Sequence, residues 1–198
     1  MIRLYDFELS GNAHKIRNQL ALLGIEYERV TVDLVNGEQH GEAFRALNPL
    51  GQVPVLVDED VVVRDSNAIL VYLGRLFGRG EWLPVDAEGE ARVQEWLAFS
   101  ADKVTNGPAF ARLITLFGAD GDLDKAQKRA KDVLEQVDAH LDGRAFLAGE
   151  RATIADIANY SYIALAPDGG VELDDYPNVR AWIRRLEALR GFQPASVQ

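Results

Sequence analysis

The stretch VPVLVDEDVVVRDSNAIL, Val53 to Leu70, decides the fold. Two valine-rich runs flank Asp58-Glu59-Asp60, and together they read as a β-hairpin. Beyond Arg64 the apolar spacing changes to that of a helix, SNAILVYLGRLFG, with Ser66 placed to cap it. Upstream, IRLYDF (2–7) reads as a short strand. AHKIRNQLALLG (13–24) reads as a helix with Ile16, Leu20 and Leu23 on one face and Gly24 as its stop. YERVTVD (27–33) shows the period-two pattern of a second strand, and GEAFRAL (41–47) is a short helical piece. Strand, helix, strand, hairpin and helix predict a small α/β layer whose sheet holds both parallel and antiparallel pairs.

Outward from this layer, GRGEWLPVDAEG (78–89) has the glycines, proline and charges of a linker. From Glu90 onward every segment carries apolar residues at three- and four-residue spacing, and no strand pattern appears. The expected organisation is an α/β domain over residues 1–78 and an all-α domain over 88–198. Pro108 in NGPAFAR is expected to break or kink a helix.

Composition narrows the function. The 198 residues are 47% hydrophobic, which suits a well-packed soluble protein. No apolar run approaches the roughly 20 residues needed to span a bilayer, and no charged-then-apolar leader follows Met1, so a cytoplasmic location is expected. A formal net charge of −10 argues against nucleic acid or an anionic membrane as partner. Without cysteine the chain has no disulfide, no thiolate metal site and no thiol nucleophile of its own, so any sulfur chemistry arrives with a ligand. His14, His40 and His140 lack the spacing of metal ligands and read as surface residues; no metal is expected. Phosphate-cradling glycine loops and a GxSxG elbow are absent, which removes nucleotide-binding and hydrolase readings.

Four short motifs remain. In ELSGNAHKIR (8–17), a serine, a glycine and an asparagine precede a helix, which fits either a plain cap or an anion site. In NPLGQVPVL (48–56), Pro54 at a strand entry is ordinarily trans; a cis Val53-Pro54 bond would instead turn the Val53 backbone outward, free to pair with a peptide-like ligand. In RDSNAIL (64–70), the amides at the helix start and Ser66 could hold a carboxylate, while Asp65 could accept from an ammonium. In ATIADIANY (152–160), Thr153 and Asp156 form a capping-box pattern whose meaning is folding.

Taken in this order and register, SGNAHKIR, NPLGQVPVL, RDSNAIL and ATIADIANY resemble the glutathione S-transferase family over nearly the whole chain. The resemblance implies a thioredoxin-like domain followed by a helical bundle, with glutathione as co-substrate and a homodimeric assembly. It implies that Val53, beside a cis Pro54, pairs with the cysteinyl unit. Asp65 and Ser66 would hold the γ-glutamyl end, and Gln52, with Gln39 or His40, would lie near the glycine carboxylate. For the sulfur it offers Ser10 first, Asn12 as joint or alternative donor, and Tyr5 as a rival inside the strand. Lowering a thiol pKa from about 8.5 by two units needs roughly 2.7 kcal/mol. One hydrogen bond to the charged form supplies about 1.5–3 kcal/mol and a helix start roughly 0.3–1 more. A hydrophobic electrophile would sit near Trp96, Phe99, Ser100, Asn106, Phe110 and Leu113, with Arg112 as a polar anchor. Thiol–disulfide or peroxide reduction on the same fold, or a non-catalytic binding protein, are the alternatives.

Overall fold

A computed structural model describes residues 1–197. Four strands form one sheet in the order β2-β1-β3-β4, with β1 (Ile2–Asp6), β2 (Tyr27–Thr31), β3 (Val55–Asp58) and β4 (Val61–Arg64). β1 and β2 run parallel and are therefore joined by a crossover helix, α1 (Gly11–Leu23); β3 lies antiparallel to both β1 and β4. The predicted hairpin turns at Glu59, whose φ of 52° is left-handed. Because β3 is an inner strand, both its faces are buried. Leu56 faces the large core, whereas Val55 and Val57 pack with Val32 and Phe44 on the other side, where α2 (Glu42–Leu47) lies.

α3 (Ser66–Phe77) completes the α/β layer, and Leu83 and Trp82 in the following segment pack into the structure rather than crossing solvent. Trp82 accepts a hydrogen bond through its carbonyl from the Ile154 amide, 2.9 Å. The helical part comprises α4 (Ala87–Phe99), α5 (Phe110–Phe117), α6 (Leu123–His140), α7 (Ile154–Ala164) and α8 (Pro177–Glu187). Between α4 and α5, residues Ser100–Ala109 wind in wide π turns. This departs from the expected break at Pro108: the helix continues, because widening the turn relieves the clash of the proline ring with the carbonyl four residues back.

The α/β layer and the helices share one continuous core: Leu4, Ile16, Leu56 and Ile69 from the first part meet Val93, Leu134, Ile157 and Trp182 from the second. At its centre α7 is buried at every residue from Ile154 to Ser161. The expected capping box forms, with Ala155 N donating to Thr153 Oγ1 (3.2 Å) and Thr153 N donating to Asp156 Oδ2 (2.9 Å). Asp156 does more than cap, since its Oδ1 also accepts from Leu147 N and from Trp182 Nε1, each at 2.9 Å. Asp156→Ala would strand these three buried donors and is expected to cost on the order of 3 kcal/mol or more in urea unfolding, with Asp156→Asn losing less.

Candidate active site

Two buried charge pairs hold the turn that carries Ser10. At the end of β1, the fully buried Asp6 accepts from Arg17 Nη1 at 2.6 and 2.8 Å and is also bound by Arg29 of β2. Arg17 Nη2 reaches the Glu8 carbonyl at 3.0 Å. From the other side, Arg112 of α5 pairs with Asp168 (2.7 Å) and donates to the Leu9 carbonyl (2.8 Å). The loop into α1 is thus gripped by both halves of the molecule.

α1 is not the one-sided helix its pattern predicts. From Gly11 to Leu20 only Asn12 is less than fully buried, and His14, Lys15, Arg17, Asn18 and Gln19 lie in the interior. His14 therefore corrects the surface reading. Its Nε2 lies 3.0 Å from the Gln193 carbonyl, which can only accept, so Nε2 carries the proton and Nδ1 accepts from Ser161 Oγ at 2.9 Å. Burial pushes its pKa down to about 4, and the ring stays neutral at physiological pH. His40 is exposed and His140 half-buried against Trp96; among the described residues no group of side chains is arranged to hold a metal ion.

Ser10 is the cap of α1, its Oγ accepting from Ala13 N at 3.2 Å, and His14 N reaches the Ser10 carbonyl at 2.9 Å. Burial raises the pKa of the Tyr162 hydroxyl on α7, and the backbone of Gly11 and Asn12 opposes that rise. The Tyr162 ring lies so close that a Cβ on Gly11 would sit 2.6 Å from it, which explains the glycine in Ser-Gly-Asn. Two side chains here can also serve an anion. The Ser10 hydroxyl accepts with its oxygen and keeps its proton to donate, and Asn12 accepts from Ser66 through Oδ1 (3.3 Å), leaving its Nδ2 as donor.

The other motifs converge on the same polar cleft, which Ser10, Asn12, Gln39, Gln52, Val53, Asp65 and Ser66 line. Val53-Pro54 is cis, and Val53 lies outside the strand ladder. The buried Asn48 shapes the loop before it, donating to the Gln52 carbonyl at 2.7 Å and accepting from Leu50 N at 3.1 Å. Gln39 borders the cleft with a buried Oε1 that has no partner among the described residues, while His40 is outside the lining. Ser66 is not the helix cap. That position belongs to Asp65, whose Oδ1 takes the amides of Asn67 (2.9 Å) and Ala68 (3.0 Å) with φ at 71°, a left-handed backbone costing an aspartate roughly 1–3 kcal/mol. Ser66, one residue on, is thereby free to reach Asn12.

A second, apolar cleft opens on the other side of Ser10, lined by Phe7, Leu9, Leu34, Val35, Leu113, Phe117 and Tyr162. Of the seven residues expected around a second substrate, Arg112 and Leu113 border it, and the Arg112 guanidinium is committed to Asp168 and Leu9. The other five are placed elsewhere. Trp96 packs edge-on against Phe99 and His140, Asn106 bonds back to Asp102, and Phe110 closes over Gly121. Tyr5 lies against Phe44 on the far face of the sheet and lines neither cleft. Tyr162, Leu34 and Phe117 had no local signal, being ordinary apolar or aromatic positions until the two halves pack.

A mixed sheet with a cis-proline loop, joined to a helical bundle and holding a polar and an apolar cleft about one capping serine, defines a two-part enzyme fold built to present a small ligand. Family models described as "Glutathione S-transferase, N-terminal domain" and "Glutathione S-transferase, C-terminal domain" match residues 1–75 and 108–189. Glutathione S-transferase theta-2 of Homo sapiens is 34% identical over 181 residues, covering 86% of this chain and 74% of that protein. The crystal structure of a glutathione S-transferase from Pseudomonas fluorescens superposes with a TM-score of 0.92 at 34% identity, covering 98% of each chain. A glutathione transferase homologue from a Drosophila species, solved with bound glutathione, gives a TM-score of 0.86 at 31% identity over 95% of this chain and 88% of that one. The chain belongs to the glutathione S-transferase family.

Gly11→Ala is expected to destabilise by about 1–3 kcal/mol through the clash with Tyr162. In a double-mutant cycle with Tyr162→Ala the combined loss should fall short of the sum, read by thermal or urea unfolding.

Proposed function

We propose that this protein is a glutathione transferase that binds glutathione in the polar cleft, stabilises its thiolate at Ser10 and Asn12, and adds it to a neutral hydrophobic electrophile. The observation that carries this reading is the placement of Ser10, which borders the polar and the apolar cleft at once. A sulfur held there meets whatever occupies the apolar side. The Ser10 hydroxyl and the Asn12 amide donate to the sulfur without ionising, and the thiolate attacks. Val53 offers its backbone to the cysteinyl unit beside Pro54, Asp65 takes the γ-glutamyl ammonium and Ser66 its carboxylate. Gln39, Gln52 and, at the rim, His40 serve the glycine end. The α/β layer, residues 1–78, is the glutathione-binding part, and the helical residues 88–198 supply the wall of the apolar cleft.

The apolar lining favours a hydrophobic electrophile over a second glutathione, whose charges would lose hydration there without partners. No helix among the described residues is long and apolar enough to cross a membrane. A cytoplasmic, detoxifying homodimer accords with the family, and exposed Leu76, Phe77 and Val61 on the α/β layer offer apolar surface for the second copy. Light scattering at micromolar concentration should give twice the 21.9 kDa chain mass.

The test is the absorbance of bound glutathione thiolate against pH. Ser10→Ala should raise the thiol pKa by about one to two units, matching the roughly 1.5–3 kcal/mol of a hydrogen bond to a charged group. Asn12→Ala should raise it less, and Tyr5→Phe should leave it in place. Turnover of a chloronitrobenzene at neutral pH should fall in the same order. An unchanged titration in Ser10→Ala overturns the assignment.

A further inference from the structure

The described side chains that line the polar cleft include one cation, Lys15. Lys15 lies one turn into α1, is 2% exposed, and borders the cleft with Ser10, Asn12, Asp65 and Ser66. Its Nζ lies 3.3 Å from Ser100 Oγ and 5.6 Å from the centroid of the Tyr162 ring, and it makes no ion pair among the described residues. Ser100 spends its proton on the Ala158 carbonyl at 2.9 Å, so its oxygen turns lone pairs toward the ammonium. The lysine is held in place but not neutralised. A buried ammonium whose direct contacts are a hydroxyl and a ring, without an ion pair, is expensive in the empty protein. Such a cost persists where an arriving anion removes it.

The anion can be narrowed by position. A helical side chain leans toward the N-terminus of its helix, which carries the Lys15 ammonium back toward the turn of Ser10 and Asn12. The Tyr162 ring lies at that level: a Cβ on Gly11 would stand 2.6 Å from it, and its face meets Lys15 with Nζ 5.6 Å from the centroid. Ser10 and Asn12 contribute only neutral side-chain donors. Among the described residues Asp65 is the single carboxylate lining the cleft.

We propose that Lys15 supplies the positive charge that stabilises the glutathione thiolate at Ser10 and Asn12, making it a further positioning residue of the transferase reaction. The proposal rests on the assignment of the polar cleft to glutathione. The charged and titratable groups facing Lys15 are Asp65 at the start of α3 and Tyr162 on α7; Ser100, on the π turns, does not titrate. Burial pushes the lysine pKa down to about 8, Asp65 opposing. A thiolate beside it would raise that value, and by the same coupling the lysine lowers the pKa of the thiol.

Lys15→Met tests this, with Lys15→Arg as the charge-keeping control and S-methylglutathione as a ligand that lacks the thiol. The expected result is a bound-thiol pKa about one unit higher in Lys15→Met, hence a tenfold lower thiolate fraction and kcat/KM below that pKa, with recovery in Lys15→Arg. Affinity for S-methylglutathione should change little. Lys15→Met should melt no lower than the native protein, since it removes a buried charge without a carboxylate partner. A folded Lys15→Met that binds glutathione with an unmoved thiol pKa overturns the proposal. An equal loss of affinity for glutathione and S-methylglutathione also overturns it, by assigning the lysine to a carboxylate. Failure of the native protein to bind glutathione at all would instead remove the underlying reading of the cleft.

Discussion

The structure depends on taking the first ten residues of α1 out of water. A helix that carries histidine, lysine, arginine and asparagine into an interior must find partners for them there, and no single layer of the fold can supply them all. Arg17 finds Asp6 at the end of β1, and Lys15 finds Ser100 on the helical side. His14 and Asn18 close on the Gln193 carbonyl near the end of the chain. The two halves are joined by this obligation as well as by apolar contact, and for that reason their core is continuous.

From that constraint the site follows. The turn before α1 has little freedom, because Arg17 holds the Glu8 carbonyl and Arg112 the Leu9 carbonyl from opposite sides. Ser10 is thereby presented at a seam, polar toward α3 and apolar toward α5. Arg112 shows how position overrules residue type. Read along the chain it suits a ligand anchor; in the fold its charge is balanced by Asp168 through Nε and its Nη1 braces the backbone.

Much of the α/β layer was legible because strand alternation, the Asp58-Glu59-Asp60 turn and the cap pattern of α7 are local signals. The joint register of Ser10, Pro54, Asp65 and Thr153 was legible as a resemblance, and the structure brings Ser10, Asp65 and Val53, the residue before the cis proline, to one cleft. Three things were not. The burial of His14 and Lys15 comes from α7 and the π turns, distant in sequence. Asp65, not Ser66, caps α3, because a left-handed backbone at an aspartate leaves no trace in composition. The apolar cleft draws on Leu34, Phe117 and Tyr162, from separate parts of the chain that only tertiary packing assembles, so of the residues expected there only Arg112 and Leu113 reach it.

The wide turns from Ser100 to Ala109 act as a phase shifter within the long helical rod from Ala87 to Phe117. Each residue in a π turn advances the helix through a smaller angle than in an α turn, so the faces before and after the segment are rotated relative to a uniform winding. That rotation lets one rod aim Leu97 at the core, Ser100 at Lys15, and then Arg112 and Leu113 at the apolar cleft. A family member differing by one residue in this segment would be retuned at both clefts together, because Ala101 and Thr105 of the same turns line the polar one.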